Sequence, residues 1–326
     1  ESITIGSNVS ETIYLDNNDA SMRILIEGNT ASNTFLIMVH GGPGTSSYLY
    51  NTEYISENIE DKYAIIYWDH RNSGGSQGAI NDKSLNLAQM TDDLKKVIQV
   101  IQHRYKNASI FMLGHSFGGL LSSSFMTTDN CQSMLKGWIV TGGSHNYPLN
   151  NFLTRDMLLS FGQQEVLLGN HTEQWTEMIS YCNQLTNDIS HKQADQLNTY
   201  ADDAERLFEQ VEQTDFLARI SKYGIKDKWP IISTLLNSNY SSSASFNVDL
   251  AKLEFSSELN KVHLPTLLFY GAYDFVCPPT LGQDIYDNIS SLEKELIISN
   301  KSGHAPMFQD KERFCKEINS FISKYR

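Results

Sequence analysis

The sequence predicts an α/β fold with a mostly parallel, doubly wound sheet, antiparallel strands at the N-terminus and a helical insertion late in the chain. Continuous apolar runs at 35–39 and 64–68 are typical of central parallel strands that are covered on both faces. Segments with helical spacing separate such runs, and this alternation indicates a doubly wound sheet. The alternation stops between residues 146 and 262 and then resumes, which predicts the insertion.

The elements before the insertion follow from their periodicity. Apolar and polar side chains alternate at 3–5 and 11–15, as they do in half-buried antiparallel strands. Residues 85–105 carry their apolar side chains at helical spacing on one face. Further strands are predicted at 22–28, 109–113 and 137–143.

The insertion is predicted to be helical, because nearly every patterned segment in it has helical spacing. We expect a core of residues 1–145 and 263–326, with 146–262 as a helical cap between the sixth and seventh strands. The alternative is a separate helical domain with a partner of its own. Helices are expected at 153–168, 172–185, 192–211, 215–223 and 229–236, a polar loop at 237–245, and strands again at 264–270 and 295–299.

A G-x-S-x-G pentapeptide at 114–118 predicts a nucleophilic serine, Ser116. It follows an apolar, strand-like run and precedes a run of small residues that predicts a helix, which is the context of a nucleophile elbow. Side chains two positions either side of the serine would collide with the neighbouring strand and helix. Gly114 and Gly118 avoid that collision.

Two partners for Ser116 occur in the order that this motif requires. Asp274 and His304 each follow an apolar run that predicts a strand. In a Ser…Asp…His arrangement, His304 would take the proton of Ser116, and Asp274 would orient the imidazole and stabilise its charged form. The alternative is that Asp274 is a turn residue and His304 a polar residue beside a helix.

A second glycine-rich loop predicts an oxyanion hole. The strand at 35–39 runs into His40-Gly41-Gly42-Pro43-Gly44. In proteins with a nucleophile elbow, the loop after the third strand supplies one backbone N–H of the oxyanion hole, and the residue after the nucleophile supplies the second N–H. The donors are therefore expected to be the amides of Gly42 and Phe117. A glycine–proline turn without any chemistry is the alternative.

These motifs together resemble the prolyl iminopeptidase branch of the α/β-hydrolases. The resemblance rests on H-G-G-P-G at 40–44, W-D-H-R-N-S-G-G-S at 68–76 and G-H-S-F-G-G at 114–119. It implies the α/β-hydrolase fold and a serine aminopeptidase, or a related small-molecule hydrolase, with a helical cap. The branch usually has G-G-S-W-G at the elbow and D-Q-R-G-x-G-x-S in the loop that corresponds to residues 69–76, called the middle loop below. This chain departs from that pattern at His115, Phe117, His70 and Asn72.

The resemblance also implies a substrate whose free α-amino group is held by acidic side chains of the cap. Residues 202–215 are the richest in acids, and Leu207, Phe208, Val211 and Phe216 are expected to line a pocket beside them. The alternative is that these acids lie on solvated faces of amphipathic helices. The candidates are Glu165, Glu173, Glu177, Asp202, Asp203, Glu205, Glu209 and Glu212.

Five further residues are predicted to support the site rather than to act in it. Asp69, His70 and Arg71 follow a strand and so lie at the functional end of the sheet. We expect this loop to brace the oxyanion loop, with Arg71 in a salt bridge. His40 and His115 are interpreted in the same way, with His304 as the base.

Composition narrows the classes of function. The chain has 326 residues, 40% of them hydrophobic, which suffices for a large core. A formal net charge of −13 argues against nucleic acid and anionic membranes as partners. We expect no transmembrane helix, because no run of 18 apolar residues occurs. No metal or cofactor is expected, because the chain supplies nucleophile, base and oxyanion donors.

The four cysteines are expected to be reduced thiols, although three pairings are possible if all are oxidised. They are far apart, at Cys131, Cys182, Cys277 and Cys315. The first residue is Glu1, which leaves export after removal of a signal segment open, as well as a cytoplasmic location. The oligomeric state is also left open.

Three classes of function remain. The first is a serine hydrolase that cleaves short peptides or aminoacyl amides through an acyl-enzyme. The second is an esterase, lactonase or carbon–carbon bond hydrolase with the same machinery. The third is a non-catalytic receptor that retains the pocket. Ser116 argues against an epoxide hydrolase or a dehalogenase, since those enzymes have aspartate at the elbow.

Overall fold

An open sheet forms the centre of the molecule in the computed structural model, which describes residues 8–79, 81, 83–212, 233 and 250–326. Within those residues the sheet has nine strands, in the order β1-β2-β4-β3-β6-β7-β8-β9, with β5 paired to β2. The strands are β1 (Val9–Asn17), β2 (Ala20–Gly28), β3 (Thr34–Val39), β4 (Ala64–Trp68), β5 (Gln77–Gly78), β6 (Ser109–Ser116), β7 (Gly137–Gly143), β8 (Thr266–Gly271) and β9 (Lys294–Ser299).

The pairing confirms the predicted mixture of directions. Strands β1 and β2 form an antiparallel pair, and β2 also runs antiparallel to β4. From β4 through β3, β6, β7 and β8 to β9 every pair is parallel. The carboxyl ends of these parallel strands meet at one edge of the sheet.

Helices cover both faces of this sheet. The helices in the described residues are α1 (Glu53–Ile55), α2 (Leu87–Arg104), α3 (Phe117–Thr127), α4 (Tyr147–Leu168), α5 (Thr172–Cys182), α6 (His191–Arg206), α7 (Pro279–Asn288), α8 (Pro306–Gln309) and α9 (Lys311–Tyr325). Helices α2, α3 and α7 pack on the face of the sheet that carries Ile37 and Val39. Helices α1 and α9 pack on the opposite face, which carries Leu36 and Met38. Adjacent residues of β3 therefore enter different cores, as the period of a strand requires.

Burial explains why the strands have different sequence patterns. Strand β1 at the edge alternates half-buried and exposed residues along its whole length. The strands β3, β4, β7 and β8 are buried throughout. The continuous apolar runs and the alternating run in the sequence thus correspond to central and edge positions.

Within the described residues, three helices, α4 to α6, lie between β7 and β8. The predicted helix at 153–168 begins earlier, at Tyr147, because the Asn146 side chain accepts the backbone N–H of Leu149 and a proline occupies the first turn. The helix predicted to reach residue 211 ends at Arg206. A third core, around Leu158, Trp175 and Leu197, lies between these helices and also includes Phe275, which follows β8.

Some sequence predictions fall outside the described residues. They are the strand at 3–5, the helix at 215–223, the helix at 229–236 apart from residue 233, and the loop at 237–245. The structure adds elements that were not predicted, among them the two-residue strand β5 and the C-terminal helix α9. The apolar residues of α9 do have helical spacing, at Phe314, Ile318 and Phe321.

The structure also bears on the predictions for membrane-spanning helices and for the cysteines. None of the helices in the described part of the chain combines the length and apolarity that crossing a bilayer requires. The four cysteines are buried as free thiols.

Candidate active site

The topology brings three predicted residues to one edge of the sheet. Strand β6 ends at Ser116, Asp274 follows β8, and His304 follows β9. Ser116 and His304 line the same cavity of about 390 Å³, and Asp274 is buried behind His304. This is the crevice beyond the carboxyl ends of the strands, where open α/β sheets bind their ligands.

Ser116 occupies a strained turn between β6 and α3. Its backbone has φ +55° and ψ −123°, a region that residues other than glycine rarely adopt. A Cβ atom on Gly118 would meet the carbonyl group of Val39, and one on Gly114 would meet the carbonyl group of Gly118. The two glycines therefore allow the elbow to pack against strand β3 and its own helix.

Asp274 fixes the orientation of the His304 imidazole. Both carboxylate oxygens lie 3.1 Å from His304 Nδ1, and the backbone N–H of Cys277 donates to Asp274 Oδ1 at 2.7 Å. Because a carboxylate accepts, Nδ1 of His304 carries the proton and Nε2 is the acceptor in the neutral ring.

The electrostatic surroundings of His304 favour its charged form. Burial alone lowers the pKa of His304, although 19% of the side chain remains exposed. The carboxylate of Asp274 opposes this most strongly, followed by those of Glu205 and Asp202, and together they raise the pKa to about 9. The ring therefore gains basicity from three carboxylates, two of which lie on helix α6.

Glu205 of helix α6 holds the loop that carries His304. Its Oε2 accepts the backbone N–H of His304 at 2.7 Å, and its Oε1 accepts Nε2 of Gln309 at 2.7 Å. Gln309 Oε1 in turn accepts the backbone N–H groups of Gly303 and Ala305. The Glu205 carboxylate occupies the space where a side chain on residue 303 would lie.

The second glycine-rich loop is braced from several sides. The backbone N–H of Gly41 donates to the Tyr50 hydroxyl at 3.0 Å, and that of Gly44 donates to Ser73 Oγ at 3.1 Å. Gly42 has φ +113°, which is favourable only for glycine, and it lines the cavity together with Phe117. The two predicted oxyanion donors thus border the same cavity as Ser116.

His40 and His70 lie beneath this loop as a stacked pair, with ring centroids 3.6 Å apart. Nε2 of His40 accepts the backbone N–H of His70, so Nδ1 of His40 carries the proton that it donates to the Gly41 carbonyl at 2.6 Å. Burial lowers the pKa of both rings. They therefore support the loop as neutral groups, away from the cavity lining.

Asp69 and Arg71 bind the middle loop to its neighbours. Asp69 accepts hydrogen bonds from Ser46, Ser47 and the Gly75 amide, and it pairs with Arg23 at 3.4 Å. Arg71 forms a buried ion pair with Asp93 of helix α2. Neither residue borders the cavity as it is formed by the described residues.

The acids proposed for substrate binding differ in where they lie. Of the eight, Asp202 lines the cavity, and Glu205 has its carboxylate occupied by protein donors. Desolvation raises the pKa of Asp202 although the residue is open to solvent, and the charge of His304 opposes that effect. Six candidates do not border the cavity: Glu165, Glu173, Glu177, Asp203, Glu209 and Glu212.

The predicted apolar lining around residues 207–216 needs correction. Leu207, Phe208 and Val211 pack in the core of the helical segment and not against the cavity, and Phe216 lies outside the described residues. In the described residues, the helical wall of the cavity combines polar side chains with apolar ones such as Tyr147, Ala194 and Leu250. Its polar residues include Asn150, Asn151, Asp195 and Asn198.

Sequence reasoning missed two residues of this network, Tyr50 and Gln309. Each contacts the site through hydrogen bonds to backbone groups of distant loops. Neither belongs to a motif, so no signal in one sequence indicates it.

Comparison with known proteins agrees with this geometry. The family model described as alpha/beta hydrolase fold matches residues 34–311. The chain belongs to the α/β-hydrolase fold family. The match includes both glycine-rich loops, Asp274 and His304.

Relatives of this α/β-hydrolase include aminopeptidases. A probable aminopeptidase of Bacillus subtilis is 20% identical over 316 residues, which cover 91% of each chain. A proline iminopeptidase of Saccharolobus solfataricus is 24% identical over 304 residues, covering 90% of this chain and 86% of that protein. The solved structure of a proline iminopeptidase from Mycobacterium smegmatis has a TM-score of 0.67 at 16% identity, covering 97% and 98% of the two chains. The predicted resemblance to the prolyl iminopeptidase branch is confirmed.

Proposed function

We propose that this α/β-hydrolase is a serine hydrolase that acts through an acyl-enzyme. The observation that carries the proposal is the His304–Asp274 pair, with Nδ1 held by both carboxylate oxygens, beside the strained Ser116 in one cavity. Ser116 Oγ attacks the carbonyl carbon of the substrate and His304 Nε2 takes its proton. His304 then gives that proton to the leaving group, and water repeats the sequence to release the acid.

The backbone N–H groups of Gly42 and Phe117 are proposed as the oxyanion hole. Both residues border the cavity next to Ser116. Fixed amide donors stabilise the negative charge that develops on the substrate oxygen in the tetrahedral intermediate. All groups in this scheme belong to the chain, so the proposed reaction needs no metal or organic cofactor.

We propose short peptides or aminoacyl amides with a free α-amino group as substrates, which makes the enzyme a proline iminopeptidase-like aminopeptidase. Asp202 supports this choice, because its carboxylate lies in the wall of the cavity that contains Ser116. An ammonium group beside a carboxylate gains charge-assisted hydrogen bonds. The names of the two curated relatives agree with an aminopeptidase.

Residues 146–262 are proposed as a cap over this site. Helices α4 and α6 contribute part of the cavity wall, including Asn150 and Asp202. The two chain segments that join these helices to the sheet are hydrogen-bonded to each other, Phe255 N–H to the His145 carbonyl and Tyr147 N–H to that of Leu253. Such a closed base suits a cap inserted into the core of residues 1–145 and 263–326.

The first experiment asks whether Ser116 is an activated nucleophile. The purified protein is treated with a fluorophosphonate probe, and the labelled residue is located by mass spectrometry. We expect one label on Ser116 and none in the Ser116→Ala variant. Absence of labelling in the folded wild-type protein would contradict a serine hydrolase and leave the non-catalytic receptor.

The second experiment tests the substrate class. It compares an aminoacyl arylamide that has a free amine with its N-acetylated counterpart, alongside short-chain esters. We expect hydrolysis of the free amine to be faster by at least tenfold. Equal rates on the two arylamides, or activity on esters alone, would exclude the aminopeptidase and leave an esterase-type hydrolase.

A further inference from the structure

His115 connects the two loops that flank the proposed nucleophile. It is buried at the second position of the elbow, between Gly114 and Ser116. Its Nδ1 lies 2.7 Å from the hydroxyl of Tyr50, and its Nε2 lies 2.8 Å from the backbone carbonyl of His304. The Tyr50 hydroxyl also lies 3.0 Å from the backbone nitrogen of Gly41. One imidazole therefore bridges the oxyanion loop and the loop of the base.

The direction of each hydrogen bond in this chain follows from the groups at its two ends. The Gly41 amide is a donor, so the Tyr50 oxygen accepts there. The His304 carbonyl is an acceptor, so Nε2 of His115 must donate to it. Nδ1 of the neutral ring then has a lone pair, which accepts the proton of the Tyr50 hydroxyl. A neutral His115 protonated at Nε2 satisfies every one of these contacts.

The charge state agrees with this assignment. Burial lowers the pKa of His115 to about 3, and the positive charge of the neighbouring His304 ring acts in the same direction. The two rings lie with centroids 4.8 Å apart. The His115 ring is thus neutral, whereas the neighbouring His304 ring is the one that takes up a proton.

Close packing makes the bridge rigid. A Cβ atom on Gly41 would come within 2.9 Å of Ser116 Cβ and 3.3 Å of His115 Nδ1. The Tyr50 ring stacks on Phe308 and meets His115 edge-on. Neither end of the bridge can therefore shift without displacing a neighbour that belongs to the site.

We infer that His115 is a positioning residue, which acts with Tyr50 to hold the oxyanion loop and the His304 loop at a fixed separation across Ser116. The inference rests on the proposed function. In that reaction the Gly42 amide and His304 act on the same tetrahedral centre, so an error in their separation raises the energy of the transition state more than that of the bound substrate.

The kinetic test uses three substitutions of His115 that differ in which end of the bridge they keep. His115→Gln places an amide where it can still donate to the His304 carbonyl. His115→Asn keeps an acceptor for the Tyr50 hydroxyl, and His115→Leu keeps neither contact. We expect kcat to fall by roughly 10- to 100-fold in the leucine variant and by less in the other two, with KM changed by less than about threefold.

Tyr50→Phe examines the other half of the bridge, and Tyr63→Phe is its matched control. Tyr63 is a buried tyrosine whose hydroxyl bonds to Ser323, on the far side of the fold. Both variants lose one tyrosine hydroxyl, and a thermal melt measures the stability that each loses. Only Tyr50→Phe should lose kcat, by about tenfold.

A spectroscopic readout does not depend on turnover. In protein labelled with ¹⁵N-histidine, we expect the His115 ring to remain neutral with its proton on Nε2 from pH 5 to 9. The Nδ1 resonance should shift in Tyr50→Phe. A proton on Nδ1, or titration of this ring near neutral pH, would overturn the inference whether or not the protein proves to be an enzyme.

The kinetic outcomes separate the two proposals. If the wild-type protein reacts with the fluorophosphonate and a folded His115→Leu variant keeps kcat within about twofold, the positioning role is wrong and the serine hydrolase stands. If the wild-type protein neither reacts nor turns over substrate while the ¹⁵N spectra show the expected tautomer, the bridge stands and the proposed hydrolase fails.

Discussion

The two walls of the cavity are built in different ways. On the sheet side, Ser116, Gly42 and His304 lie at or just beyond the carboxyl ends of parallel strands, and hydrogen bonds hold the loops of Gly42 and His304. On the helical side, α4 and α6 present polar side chains such as Asn150, Asn198 and Asp202, which are open to the cavity. The sheet side is thus rigid and carries the proposed chemistry. The helical side carries Asp202, the group proposed to recognise the substrate amine.

The two walls meet at Glu205. This residue belongs to helix α6, yet its carboxylate binds the backbone of His304 and the side chain of Gln309. Two acids of helix α6, one turn apart, therefore make different kinds of contact. Asp202 lines the cavity, whereas Glu205 joins helix α6 to the loop that carries His304, the proposed base.

The largest effect is expected on the sheet side, for Ser116→Ala. Alanine fits the tight turn but has no nucleophile, so kcat should fall by about 10³-fold or more while the fold persists. Steady-state kinetics and circular dichroism measure the two quantities. Retention of most activity in the purified variant would exclude Ser116 as the nucleophile.

The junction between the walls is tested by Gly303→Ala. The added methyl group would overlap the Glu205 carboxylate, so that carboxylate must move and the His304 loop loses its support. We expect kcat to fall by roughly 10- to 100-fold. Gly169→Ala is the control, because a methyl group there meets nothing within 4 Å. That control should lose some stability, since residue 169 has φ +80°, but no activity.

If Gly303→Ala keeps full kcat, Glu205 does not support the base through this loop. A crystal structure of the variant would show whether the carboxylate has moved. Loss of kcat with an unmoved Glu205 would equally contradict a supporting role for that carboxylate.

On the helical side, Asp202→Asn should change specificity more than chemistry. Without the carboxylate, the proposed ammonium group loses its partner, so KM for free-amine substrates should rise by about tenfold, whereas kcat should change little. The ratio of kcat/KM for the free-amine substrate to kcat/KM for its N-acetylated counterpart should fall by the same factor. Asp203→Asn is the matched control, because Asp203 pairs with Arg206 and does not border the cavity. An unchanged preference in Asp202→Asn would remove Asp202 as the amine site.

The same contrast explains what the sequence could predict. Ser116, Asp274 and His304 each follow an apolar run that forms a strand, and parallel topology carries such residues to a common edge. The glycines of the elbow could be predicted because steric overlap depends only on neighbours in the chain and in the sheet. Local pattern and fold class therefore suffice on this side of the cavity.

The helical side could not be predicted in the same way. Helical periodicity predicts which face of a helix is buried but not what that face meets, so it could not separate the cavity-lining acid from the other candidates. Glu205 differs from Glu177 only through contacts with residues about 100 positions away. The predicted apolar lining near Phe208 was wrong for the same reason, because that ring packs against Trp175 and Phe275 in a core between helices and sheet.

The smallest expected effect concerns the pH dependence of the reaction. His304 must be neutral to act as a base, and its pKa is raised to about 9. On a substrate without a titratable amine, such as a short-chain ester, kcat/KM of the wild-type enzyme should therefore increase from pH 6 to about pH 9. The Glu205 carboxylate is one of the groups that raise this pKa. Glu205→Gln removes the charge, and the carbonyl of the new amide can still accept the His304 amide. The ascending limb of kcat/KM should therefore move to lower pH, by less than about one unit.

Glu209→Gln serves as the control for this shift, because Glu209 is an exposed acid that follows the same helix and lies outside the cavity lining. Asp202→Asn should move the limb in the same direction as Glu205→Gln, since Asp202 also raises the pKa of His304. A limb that stays in place in both variants would mean that the helical wall affects the substrate alone. A shift in either variant would mean that helix α6 also affects the pKa of His304, so that the division between a chemical wall and a recognition wall is incomplete at the carboxylates that face His304.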